Sequence, residues 1–423
     1  MQLRYHAATM HLVERFAAFA EDLRGKPLPP EVAHHARRAV IDWHAALHAG
    51  SAMPPATLLE KAFADRNPRT AALINGTAAH TAEVDDIFRD GIYHPGAPTI
   101  AAAHALGMER GNFLRAVVVG YEISTRIGAA MGRAHYRYWH NTGTIGCFGA
   151  AAACAELLGL ERGKFAHALA TVATFSAALQ QAFRMDSMSK PLHAGRAAEA
   201  GVEAALMARE GVTGSLDILE GEAGFGRAMG DDPDWEKALA TLGREFNVTR
   251  MTFKNHSCCG HTFAAIDGAL ALQKKLRVAA RDIRDVEVAT YRAGLEVAHY
   301  ENPRTAAEAR FSMKYVVATA LTHGNVRLAA FSEDRIRDRA TRDLMSRIRV
   351  SLAPDLDQAF PAQRAARVTI NGEQLLQPTR VGDPDAPLSD AQLEDKYREL
   401  AAPAIGKSES EELLERLWHL PAD

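Results

Sequence analysis

Four stretches of the chain concentrate side chains that can move protons or hold anions. The first, HTAEVDDIFRDGIYHPGAP over 80–98, gathers His80, Glu83, Asp85, Asp86, Arg89, Asp90 and His94 beside a Pro/Gly turn. A partly buried carboxyl near another carboxylate has a raised pKa, which suits proton transfer. Histidine and aspartate also suit zinc or iron, although no tight spacing such as HExxH is present. A solvated helix end would carry the same charges. The second stretch is HYRYWHNTGTIG, 135–146, where His140 precedes a Thr/Gly run and an alanine-rich helix. Backbone N–H groups at such a start can hold a carboxylate, with His140 as acid or base. Asn141 or Thr142 can also serve simply as a helix cap.

The third stretch, SMSKPLHAGRAAEAG over 187–201, spaces Lys190, His193 and Arg196 by three, along one helical face. Pro191 fits a first turn. Three such groups form a carboxylate clamp or an exposed basic face. Ala194, Gly195, Ala197 and Ala198 favour close packing. The fourth, TFKNHSCCGHTFAAIDGAL over 252–270, holds Lys254, His256, Cys258, Cys259 and His261. Adjacent cysteines lack the CxxC zinc spacing, and two small buried thiols compete with a Cys nucleophile activated by His. Tyr315, in ARFSMKYVVATAL, has core as its ordinary reading.

The elements that position these groups fall into two regimes. Helical spacing runs through 8–24, 30–49, 55–65, 70–86, 97–109, 112–132, 143–159 and 163–182. After about residue 250 the period changes. Strands are predicted at 285–291, 347–353 and 366–370, and Asn371-Gly372 turns the last into a hairpin with EQLLQ. Helices are expected at 257–275 and 306–321, and a C-terminal one at 389–401 opens on Ser389 and Gln392. The expected fold is mainly α. An all-helical domain over 1–250, expected to be completed by 386–423, is joined to a smaller α+β domain over 251–385. Ligand sites favour domain interfaces, so the site is expected at the seam.

Composition narrows the function classes. The 423 residues are 47% hydrophobic and 24% charged, enough for a sizeable soluble core. A net charge of -3 gives no electrostatic footprint for nucleic acid. Four cysteines need no disulfide framework and fit a reducing compartment. No signal core, transit pattern or membrane span stands out, so the expected location is cytoplasmic.

The ordered set HTAEVDD, HPGAP, YWHNTGTIGCFGAAAA, MSKPLHAGRAAEAG, FKNHSCCGHT and ARFSMKYVVA resembles the MmgE/PrpD family over nearly the whole chain. The resemblance implies a helical domain with a smaller α+β lid, usually as a homodimer, needing neither metal nor organic cofactor. It implies catalytic positions at Glu83, Asp85, Asp86, His94, His140, Lys190 and Tyr315. Lys254 opens the lid motif and is expected to bind substrate, together with His193, Arg196 and His261. Glu83 stands where several members have aspartate, Ile87 where many have threonine, and Cys259 about where the decarboxylase has histidine.

The expected function is a cofactor-independent lyase of the 2-methylcitrate dehydratase type, acting beside the carboxylate of a small di- or tricarboxylic acid. Alternatives are an epimerase of the iminodisuccinate kind, a cis-aconitate-type decarboxylase, a metallohydrolase, and a catalytically silent helical ligand-binding protein.

Overall fold

The computed structural model describes residues 10–183 and 187–422. The chain forms two compact units. One runs up to Thr252 and resumes at Asp390; the other is Phe253–Ser389. The protein is mainly α, with a smaller α+β part.

The first unit is helical because its apolar residues recur with a helical period and its breakers fall between helices. Its main helices are α1 (Leu12–Arg24), α2 (Pro30–Ser51), α3 (Pro68–Thr81), α4 (Gly96–Gly107), α5 (Phe113–Tyr136), α6 (Gly146–Leu157) and α7 (Ser189–Arg209). Helices Asp390–Ile405 and Lys407–Trp418 complete it. α6 is buried along its whole length, as the run GCFGAAAACAEL requires.

The α3–α7 contact places the chemistry-bearing residues. A Cβ on Gly195 of α7 would lie 2.2 Å from Thr77 Oγ1 and 2.3 Å from the Leu73 carbonyl of α3. Only glycine permits this approach. It brings Lys190 and His193, on the first two turns of α7, up to the C-terminal end of α3.

The second unit contains a four-stranded sheet in the order β2-β1-β3-β4, with β1 Val286–Thr290, β2 Ile348–Leu352, β3 Ala366–Ile370 and β4 Glu373–Gln377. β1 pairs parallel with β2 and antiparallel with β3, so Val288 faces both Val350 and Val368. Asn371 and Gly372 both take positive φ, 52° and 86°, as a two-residue hairpin turn demands. The alternate residues of β1 and β3 are buried in one core with Phe263, Ile266, Val316 and Val317.

Several predicted helices end elsewhere. The 70–86 segment stops at Thr81, because Glu83 takes φ 59° and leaves the helix. The 163–182 segment ends at Ala173. The 257–275 segment becomes helical only from Phe263, after a short 3₁₀ turn. The 306–321 segment splits at Ser312, whose hydroxyl caps a new helix by accepting from the Tyr315 N–H. The 8–24 segment starts at Leu12, and its first two positions lie outside the described residues. No helix among the described residues is long and apolar enough to cross a membrane.

A histidine cluster sits apart from these groups. His44 and His48 lie one turn apart on α2, and the His44 ring is 5.8 Å from His48 and 5.7 Å from His104 of α4. His44 is buried, with no protein hydrogen-bond partner for either ring nitrogen. Burial, then the charges of His104, His48 and Arg416, holds it neutral well below the usual histidine range. Its depressed pKa means that stability is full above about 6.5 and is lost as pH falls toward the folded-state value. His44→Leu is therefore expected to raise stability by about 1–3 kcal/mol, and by more at pH 5 than at pH 8. Denaturant melts at the two pH values check this; a loss of stability at both overturns it.

Candidate active site

The site residues of the helical unit come from three places: the end of α3, the loop that follows it, and the start of α7 with the turn at His140. His80 is on the last turn of α3 and fully buried. Its Nδ1 is 2.6 Å from Asp85 Oδ2, and His94 Nδ1 is 3.3 Å from the same oxygen. Two more bonds hold the loop's shape. The Ile87 N–H donates to Thr252 O at 2.9 Å, and the Phe88 N–H to Tyr93 O at 2.8 Å. The His94 N–H donates to Thr142 Oγ1 at 3.3 Å, tying the loop to the His140 turn.

His140 stands just before a short helix, Asn141–Thr144, and is 2% exposed. Its ring stacks on His80 with centroids 5.5 Å apart and meets the edge of Phe183 at 4.8 Å. Its Nδ1 faces His193 Nδ1 at 3.0 Å. Two ring nitrogens at that distance share one proton, so one donates and the other accepts through its lone pair. Burial first, then the neighbouring histidines His80, His193 and His94, keeps His140 well below the ordinary histidine value, while Asp85 opposes the shift. Burial, His80 and Lys190 lower His193 to about 4. At neutral pH both imidazoles are uncharged.

Lys190 pairs with Glu83, the two side chains being 16% and 17% exposed. Its ammonium also lies 5.7 Å from the Phe183 ring centroid. Glu83 at φ 59° is in the left-handed region, uncommon outside glycine and frequent at functional sites. The site thus unites a carboxylate–ammonium pair with a neutral histidine pair, Asp85, His80 and His94.

The remaining predicted residues lie in other settings. Asp86 is buried, with Oδ1 accepting from the Gly96 N–H at 3.0 Å and Oδ2 from the Tyr121 hydroxyl at 2.7 Å. Burial and then Asp42 push it up to about 8. It pins the loop to α4 and α5. Arg196 does not join Lys190 and His193: a spacing of three drifts round the helix, and its side chain is 61% exposed and paired with Glu199.

In the second unit, Lys254 is buried. His261 Nδ1 is 2.9 Å from the Tyr291 hydroxyl, and burial, Arg364 and Arg380 lower it to about 3. The adjacent cysteines are buried thiols outside any disulfide, and burial raises the Cys258 thiol to about 12, far from a nucleophile's range. Tyr315 is wholly buried in this unit's core and donates its hydroxyl to the Ala330 carbonyl at 2.5 Å. An aromatic on an apolar helix has packed as core.

Sequence reasoning left His80 out of the site, though the motif HTAEVDD contains it. The available signal was its position three residues before Glu83, on the last turn of an apolar helix. Among the described residues, His80, Asp85 and His94 have ligand atoms within 4.8 Å of one another, close enough to consider a metal. The 2.6 Å His80–Asp85 separation is that of a hydrogen bond. Two ligands about 2.0 Å from a tetrahedral zinc would stand about 3.3 Å apart. In this arrangement His80 and Asp85 are hydrogen-bonded, and His94 Nδ1 lies 3.3 Å from the same carboxylate oxygen.

Buried imidazoles beside a partly buried lysine–carboxylate pair are an arrangement able to move a proton and to hold an anion. Residues 14–238 match the MmgE/PrpD N-terminal domain and residues 256–420 the MmgE/PrpD C-terminal domain. The chain belongs to the MmgE/PrpD family. It is 26% identical over 438 residues to the cis-aconitate decarboxylase-like protein oryM of Aspergillus oryzae, covering 91% of this chain and 89% of that protein. It is 28% identical to human cis-aconitate decarboxylase over 84% of this chain and 76% of the relative. The mouse cis-aconitate decarboxylase is 27% identical over 69% of this chain and 62% of its own length.

Proposed function

We propose that this protein is a lyase acting on a small di- or tricarboxylic acid by proton abstraction beside a carboxylate, in the manner of a 2-methylcitrate dehydratase. The observation that carries the reading is the His140–His193 pair, uncharged at neutral pH and 3.0 Å apart, next to Lys190. A neutral imidazole takes a proton before it can give one.

A substrate carboxylate exchanges with Glu83 at Lys190. One imidazole of the pair removes the proton from the adjacent carbon. The electron pair of the broken C–H bond spreads into the carboxylate, and the Lys190 charge stabilises it. The carbon–oxygen bond then breaks, a C=C bond forms, and the imidazolium returns its proton to the departing hydroxyl as water. Only side chains of this chain carry these steps.

A second reading is decarboxylation of a cis-aconitate-like acid, favoured by the names of the relatives. There the C–C bond to a carboxylate breaks, carbon dioxide leaves, and the residual carbanion takes a proton. Epimerisation returns the abstracted proton to the opposite face.

An NMR screen in deuterated water separates these chemistries, with 2-methylcitrate, citrate, cis-aconitate and aspartate-like dicarboxylates as substrates. Dehydration gives an alkene and water loss, decarboxylation releases carbon dioxide, and epimerisation gives deuterium uptake without either. Turnover is expected to be unchanged after exhaustive chelation. Binding of these acids by folded protein, with none of the three reactions, would replace the enzyme reading with that of a ligand-binding protein.

A further inference from the structure

The helix Asp390–Ile405 buries Leu393, Lys396, Tyr397, Leu400 and Ala401 along one stripe. Lys396 fills a core-facing slot where the helical pattern calls for an apolar side chain. It is 3% exposed, and two of its three donors are engaged: its ammonium donates to Asp42 Oδ1 at 2.5 Å and to the Val84 carbonyl at 2.6 Å. Asp42, on α2, is 1% exposed. A buried ion pair is weak ground for stability, since apolar replacements of similar volume often do as well. The geometry therefore calls for another account of why a lysine occupies this place.

Val84 lies between Glu83 and Asp85. Its carbonyl is a point at which the backbone of the site loop meets a charge from outside the loop. The residue before it, Glu83, has φ 59°, a conformation that surrounding structure must hold. The loop is also tied by Lys190 on the Glu83 side chain, by Gly96 and Tyr121 on the Asp86 side chain, and by the bonds at Ile87, Phe88 and His94; Lys396 is what holds the Val84 carbonyl.

We infer that Lys396, held by Asp42, is a positioning residue whose bond to the Val84 carbonyl fixes the loop that carries Glu83, Asp85 and His94. The inference rests on the proposed acid–base reading for its effect on turnover, but not for its effect on the loop. A fixed Val84 carbonyl sets the direction of the peptide chain on either side of it. Glu83 is thereby aimed at Lys190 and Asp85 at His80. A misplacement of this kind acts on the chemical step more than on initial binding. Lys396 touches no reacting atom in this scheme.

The test uses the full chain and the double variant Asp42→Asn/Lys396→Met, which removes both buried charges together. Hydrogen exchange followed by mass spectrometry on the peptide spanning 82–94 reads the loop directly. The Ile87 and Phe88 amides, hydrogen-bonded in this structure, should exchange at least about tenfold faster in the variant. On a substrate the wild type turns over, kcat should fall by about tenfold to a hundredfold, with KM within about threefold. Asp42→Asn/Lys396→Gln, whose amide can still donate to Val84 O, should recover loop protection and most of kcat. Arg24→Met/Glu156→Gln removes another partly buried pair, joined at 2.7 Å between α1 and α6, and should leave the 82–94 exchange unchanged. Should the folded Met variant exchange at the wild-type rate across 82–94, the inference is wrong. So is it if the Met and Gln variants behave alike. If the wild type is inactive on every acid while the exchange result is as expected, the functional reading fails and the positioning role stands. Should the Met variant not fold, the Gln variant decides: wild-type exchange and kcat support the donor role, and lost protection overturns it.

Discussion

Replacing Lys190 by alanine is expected to lower turnover by on the order of a hundredfold or more, as the loss of a preorganised charge stabiliser does. Lys190 sits in the first turn of α7, held against α3 by the Gly195 contact, and its ammonium is partly shielded from water. Its partner in this structure is Glu83. A substrate carboxylate must compete for the same cation, and the charge that grows after proton loss makes that contact stronger in the transition state than in the ground state. Two roles for Lys190 can be separated. If it serves only to neutralise Glu83, then Glu83→Gln/Lys190→Ala should be much faster than Lys190→Ala. If it stabilises the carbanion, the double variant should be as slow as the single one, and this is the expected result. Circular dichroism and melting establish first that each variant is folded. A folded Lys190→Ala with near-normal turnover on the true substrate would remove the centre of the proposed site.

The features legible in the sequence were those set by local pattern. Period 3.6 gave the helices of the first unit, period 2 gave β1, β2 and β3, and Asn371-Gly372 gave the hairpin. The clusters around Glu83, His140 and Lys190 were visible because ionisable residues beside long apolar helices are conspicuous. Local pattern could not show how far α3 continues, since its end is decided by the positive φ of Glu83 and by a loop bonded to Thr252, far along the chain. It likewise could not show which member of a basic stripe turns inward. His193 meets His140, whereas Arg196 is drawn to Glu199 on the same helix. Tyr315 was placed in the site by resemblance, against its own local reading as core, and its hydroxyl is used by Ala330. Lys396 escaped notice because its partners, Asp42 and Val84, lie more than three hundred residues away in sequence.

His140→Ala should also lower turnover strongly, by about 10²–10⁴-fold, the range found for positioned acid–base groups. Its backbone is fixed by the His140 N–H donating to Ala178 O at 3.0 Å, and its ring is confined by His80, Phe183 and His193. The ring removed is small, so the variant is expected to stay folded. The pH profile supplies the sharper measurement. A base works only when deprotonated, and burial holds the folded-state pKa of His140 well below the ordinary value near 6.5. Activity that depends on it should persist as pH drops through 6.5 and fall only at lower pH, so the acidic limb of kcat/KM lies below that of an ordinary histidine. Protonation of His193 or His80 opposes protonation of His140. His193→Gln removes one of these competing groups while leaving a polar side chain in its place, and the limb should move upward toward 6.5. A structural role for His193 would lower the rate without moving the limb. An acidic limb at or above 6.5 in the wild type, or one that stays fixed in His193→Gln, would take the role of base away from this pair.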